Sequence, residues 1–223
     1  LRLSTKVSPI QQRYKMSNHL LKPFGPTIFQ AKISSEIIES LNNYAEKIIL
    51  DKKKTQELDI GHELAGNVQQ EFKLETDIIK SSGWGKLLAD ETLKYIYTAT
   101  KQRKKITKFN LTSTWMVRQF ENDYNPLHNH SGHISGVGYL KIPSAYGAPT
   151  QEKKMNNNGH IQFVDGVQRF LCDQALTINP EEGDLYLFPS YLQHTVYPFK
   201  NPGEERRSIS FNAYIDPEIY TSL

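Results

Sequence analysis

One cysteine in 223 residues, Cys172, leaves no possibility of an internal disulfide, and an oxidising compartment is not implied. Long apolar runs are missing as well. No stretch approaches the roughly 20 residues needed to span a bilayer, and residues 1–14 lack the apolar core of a signal peptide. The expected location is therefore the cytoplasm, with no membrane partner. Charge of one sign is scarce: 27 Lys and Arg stand against 24 Asp and Glu, a formal net charge of +3. No basic stripe is interleaved with aromatics, so no nucleic-acid partner is expected. The short basic runs around Lys52, Lys53 and Lys54 and around Lys101, Arg103, Lys104 and Lys105 read as solvated helix ends. No internal repeat is visible. Cys172 has no neighbour that would activate a thiol and reads as a packing residue.

What is present divides the chain by period. Residues 27–33 read as a first strand. Ser34 or Ser35 can then cap a helix on which Ile37, Ile38, Leu41, Tyr44, Ala45, Ile48 and Ile49 form one apolar stripe. Residues 52–75 are polar and aperiodic and read as loop. A second helix is expected within residues 85–102, carrying Leu87, Leu88, Leu93, Tyr95 and Ile96. After Lys105 the pattern becomes β-branched and aromatic, and about eight strands separated by Pro, Gly and Asn turns run to residue 215. The domain reading is an N-terminal extension at 1–22, with Met16 a candidate start, followed by one domain at 23–223. In that domain, helical support at about 34–105 buttresses a β core at about 108–215, which makes a mainly β fold with flanking helices. Residues 145–159, rich in Gly, Pro and Asn, read either as a loop or as a lid over a site.

Three stretches carry chemistry. His128 and His130 stand two residues apart before an apolar β run, so on extended backbone both rings face one side and can meet a metal at roughly 2.1 Å. A glycine turn at Gly183 leads into a strand ended by Pro189, and a short corner delivers His194. Arg206 and Ser208 are again two apart on a strand, a guanidinium beside a hydroxyl that can clamp a carboxylate. Arg207 should point the other way, to solvent. The alternative for Arg206 is a surface charge paired with Glu204 or Glu205.

Together these motifs resemble the Fe(II)- and 2-oxoglutarate-dependent oxygenases, and more narrowly their prolyl-hydroxylase-like group. They are H-x-H before S-G-V-x-Y-L, then G-D-L-x-x-F-P-S-x-x-x-H, then R-x-S. The resemblance covers residues 115–215. It implies a double-stranded β-helix, a jelly roll of cupin-like form, with Fe(II) on His128, His130 and His194. It also implies 2-oxoglutarate on Arg206, Ser208 and Tyr139, and O2 at the remaining position. The family's usual triad is two histidines and a carboxylate. Here the middle position is His130, so either three histidines form the site or a carboxylate such as Asp165 or Asp123 completes it. His133 has the wrong parity, and His160, His62 and His19 lack partners; these read as flanking, structural or solvated. The implied reaction couples decarboxylation of 2-oxoglutarate to C–H oxidation of an unknown small-molecule or protein substrate, with a prolyl side chain among the options. A cupin-like three-histidine dioxygenase and a non-enzymatic β-sandwich module are the competing readings.

Overall fold

The computed structural model describes residues 25–101, 103–149 and 155–221. The N-terminal extension expected at 1–22, with His19, lies outside them. The first strand is β1 (Phe29–Lys32). Helix α1 (Ser35–Leu50) follows, and its apolar stripe buries Leu41, Ala45 and Ile48. Ser34 holds the N-cap position, but no side-chain cap hydrogen bond forms there.

The stretch expected to be loop is more ordered than its polarity suggests. It holds α2 (Lys52–Leu58), a 3₁₀ turn at Gly61–Glu63 and β2 (Gln70–Lys73). The Asp51 carboxylate starts α2 by accepting from the Lys53 and Lys54 amides. Strand β2 owes its state to long-range pairing, since it hydrogen-bonds to a strand more than 40 positions away. Two further helices follow, α3 (Thr76–Ser81) and α4 (Trp84–Ala99). Leu88, Tyr95 and Ile96 of α4 are buried as expected, together with Trp84, whose indole donates to the Thr114 hydroxyl at 3.1 Å.

Eight strands make the rest of the core: β3 (Phe109–Gln119), β4 (Asn125–His128), β5 (Ile134–Lys141), β6 (Ile161–Val164), β7 (Ala175–Ile178), β8 (Asp184–Pro189), β9 (Gln193–Val196) and β10 (Arg206–Ile215). A short helix, α5 (Pro217–Tyr220), follows them. The strands form two antiparallel sheets, ordered β1-β8-β5-β10-β3-β2 and β4-β9-β6-β7. This is the mainly β jelly roll with flanking helices that the sequence leads one to expect.

Alternation along each strand sorts the core into two layers. On β10, Ile209, Phe211 and Ala213 join the helices in one cluster with Leu41, Leu88 and Trp84. Val137 and Tyr139 of β5 face the other way and meet Ile161, Phe163 and Val196 of the second sheet. Gly136 on β5 is required by this packing, because a Cβ there would stand 2.4 Å from the Phe211 ring and 2.6 Å from the Tyr186 carbonyl oxygen.

The same alternation corrects one expectation. Arg207 does point away from Arg206, but the far face of the large sheet lies under α1, so Arg207 is buried rather than solvated. Its guanidinium bonds Glu205 at 2.9 and 3.0 Å, Glu46 at 2.7 Å and Asn42 at 3.0 Å, the last two on α1. Cys172 also departs from expectation, since it is exposed rather than packed. Among the described residues no helix is long and apolar enough to cross a membrane.

Candidate active site

Three histidines from distant segments meet at the mouth of the β core. His128 ends β4, an edge strand that tolerates Pro126 because that strand is paired on one side only. His194 lies directly across from it on β9. His130 is two residues beyond β4 and is held by its own amide, which donates to the Ser190 carbonyl at 2.9 Å. Ring centroids are 4.3 Å apart for His128 and His194, and 5.0 Å for either of them to His130. One ligand atom from each lies within 4.8 Å of the other two.

The tautomers follow from the partners. The Pro126 carbonyl faces His128 Nδ1 at 2.7 Å and the Leu192 carbonyl faces His194 Nδ1 at 3.0 Å. A carbonyl only accepts, so both Nδ1 atoms carry hydrogen and both Nε2 atoms are left with a free lone pair. His130 Nε2 and His194 Nε2 stand 3.2 Å apart. Two ligands about 2.1 Å from one metal and near a right angle to each other would be separated by about 3 Å. Burial, followed by the neighbouring imidazoles, pushes His130 down to about 3 and His194 down to about 4. Both rings are therefore neutral at physiological pH, the form that ligates a cation. The donor set fits a divalent metal.

No carboxylate joins this group among the described residues. Asp123 Oδ2 instead accepts from the Gln69 and Phe120 amides and closes a turn, while Asp165 is exposed. His133 accepts from the Ile215 amide and stacks on Tyr220, so it serves the fold. His62 is solvated beside Glu63, and His160 packs on Tyr146.

A cavity of about 210 Å³ opens beneath the histidines and is also lined by Arg206 and Ser208. Arg206 is buried and pairs with neither Glu204 nor Glu205; Glu205 is instead bound by Arg118, Lys141 and Arg207. Arg206 Nη1 donates to the Gly159 carbonyl at 2.5 Å, while its Nε is buried without a partner among the described residues. Tyr139 lies 5.2 Å beneath the guanidinium and does not itself line the cavity; its hydroxyl is buried without a partner among the described residues. Burial pushes that phenol up to about 12, so it stays a hydrogen-bond donor. The Tyr146 hydroxyl, close enough to feel the Arg206 charge, is a third buried polar group with no partner among the described residues. Donors left unpaired around one buried cation fit an absent anion, because buried polar groups are otherwise nearly always bonded.

Sequence reasoning did not single out Tyr146 and Glu71. Tyr146 was hidden inside a stretch read as loop or lid. Its only sequence signal is an aromatic in an otherwise polar run. Glu71 lay in the segment read as loop, so its inward direction was invisible.

Comparison with known proteins agrees with this geometry. Residues 113–212 match the family described as "Putative 2OG-Fe(II) oxygenase". The matched residues cover most of the β core, which is thus similar to the 2OG-Fe(II) oxygenases. Solved structures share its fold. A prolyl-4-hydroxylase of Pseudomonas putida is 17% identical, with 83% of this chain and 91% of that one covered and a TM-score of 0.52. AviO1 of Streptomyces viridochromogenes Tue57 is 14% identical over 86% and 90%, with a TM-score of 0.54. HygX of Streptomyces hygroscopicus, solved with nickel and 2-oxoglutarate bound, is 12% identical over 84% and 81%, with a TM-score of 0.52. No curated protein matches by sequence. The oxygenase family implies Fe(II) and 2-oxoglutarate, and the three histidines of this chain could hold the metal.

Proposed function

We propose that the chain is a dioxygenase that holds Fe(II) on His128, His130 and His194, binds 2-oxoglutarate and O2, and oxidises a C–H bond of a second substrate. The observation that carries this reading is one cavity lined by three converging imidazoles and by a buried arginine with no acidic partner among the described residues. Arg206 would take the far carboxylate of 2-oxoglutarate, with the Ser208 hydroxyl beside it. Tyr139 and Tyr146 would donate their unpaired hydroxyls to the same anion. Iron, when bound, supplies the coupling of oxidative decarboxylation to C–H oxidation.

The chain's part is to position and to exclude. The carbonyls of Pro126 and Leu192 fix two imidazoles with Nε2 facing the metal. Three protein ligands leave coordination positions open for cosubstrate and oxygen. Phe163 and Phe188 pack on His194 and keep water from its back face. Three neutral ligands also leave the metal with one more unit of positive charge than two histidines and a carboxylate would.

Succinate release in the presence of Fe(II) and 2-oxoglutarate tests the assignment. Arg206→Ala and His194→Ala should each lower it at least a hundredfold. Wild-type succinate release in Arg206→Ala would remove Arg206 as the 2-oxoglutarate clamp, whereas no succinate release from the wild type would favour the reading as a three-histidine dioxygenase that needs no diacid.

A further inference from the structure

The cavity has two chemically different ends. Glu71, Val117, Ser208 and Tyr139 stand opposite one another on β2, β3, β10 and β5. Two strand spacings, roughly 10 Å, separate Glu71 from Ser208. With the cosubstrate at the β10 end, the β2 end is left for the molecule that is oxidised. That end is acidic. Glu71 lines the cavity, is only 2% exposed, and its Oε2 is buried without a hydrogen-bond partner among the described residues. Among the described residues nothing basic answers it. Glu63 also lines the cavity, and Asp59 adds to the negative field at the carboxylate.

The loop over this end does not fill the gap. At Gly66 a Cβ would come within 2.7 Å of Asn125 Nδ2 and 3.1 Å of Glu71 Oε1. A bare Cα therefore closes against the carboxylate and brings no side chain to satisfy it. The loop is fixed there, since Asn67 and Tyr124 exchange both backbone hydrogen bonds. The electron-rich ring of Trp115 lines the same cavity and adds an attraction for cations. A buried carboxylate without a partner carries a large desolvation cost, and a cation brought to it recovers much of that cost.

We propose that Glu71 is a substrate-recognition residue, and that the substrate oxidised at this site carries a protonated amine held as an ammonium–carboxylate pair at the β2 end of the cavity. This rests on the oxygenase reading above, because that reading assigns the other end to 2-oxoglutarate. The test is calorimetric titration of anaerobic protein loaded with Fe(II) and 2-oxoglutarate, using n-pentylamine, 1-pentanol and pentanoate as matched probes. Wild type should bind the amine at least tenfold more tightly than the alcohol and should reject the carboxylate. Glu71→Gln should abolish the preference, and Glu71→Asp, which keeps the charge, should restore part of it. Both variants are checked for folding by their melting transitions. Equal affinities for amine and alcohol in wild type, or a preference unchanged in Glu71→Gln, would overturn the proposal. Failure of 2-oxoglutarate itself to bind would sink the oxygenase reading instead, and the amine preference is then read without it.

Discussion

A buried carboxylate with no partner reports on itself through pH. Burial first, and then the charge of Asp59, push Glu71 up to about 7. The folded chain therefore holds this proton more tightly than the unfolded chain, whose carboxyl titrates near 4.5. Its stabilising contribution is complete below about pH 4.5 and is lost as pH rises through 7. Unfolding free energy should fall on this account by on the order of 3 kcal/mol between pH 4.5 and 8. Glu71→Gln should flatten that part of the slope in denaturant titrations run across the range, and an unchanged slope would contradict the assignment. Sequence parity fixes the face a strand residue takes but not what covers that face. Spacing alone put Arg206 and Ser208 on one face and Arg207 on the other, and the structure has them so. It said nothing about what covers the second face, which is why Arg207 was expected in water and instead lies beneath α1.

Among the elements, the start of β10 depends on a small ionic cluster. Burial alone would raise Glu205, but hydrogen bonds from Arg118 and Arg207 outweigh it and hold the carboxyl down at about 2. The cluster joins β10 to β3 through Arg118 and, through Arg207, to α1, directly beside Arg206. Removing one partner of a buried pair leaves the others uncompensated, so Glu205→Ala should cost about 3–5 kcal/mol. The fall should be read in chemical denaturation, and a loss below about 1 kcal/mol would show that water replaces the carboxylate. Elements with strong internal signals were legible in the sequence: the α1 stripe, the β3 and β5 runs and the turn at Gly183. Strand β2 was not, because four residues of mixed polarity become a strand only by pairing with β3. That gap hid Glu71 and with it one wall of the cavity.

For the whole molecule, two sheets and a helical layer bring together residues more than 60 positions apart. His128 and His130 come from one segment and His194 from another. The order of motifs along the chain was enough to expect a jelly roll with a metal site at its mouth. It was not enough to choose between His130 and a carboxylate, since that choice depends on where Asp123 and Asp165 end up in space. Asp123 closes a turn and Asp165 is exposed, whereas His130 stands with the other two imidazoles in a group that could hold a metal. The most direct test of the account is an anaerobic equilibrium titration of the Fe(II)-loaded protein with 2-oxoglutarate, with metal content measured on the same samples. Wild type should bind one equivalent, Arg206→Ala should keep its iron while losing 2-oxoglutarate affinity at least a hundredfold, and His194→Ala should lose the iron. Undiminished 2-oxoglutarate binding in Arg206→Ala, or full iron retention in His194→Ala, would contradict the account.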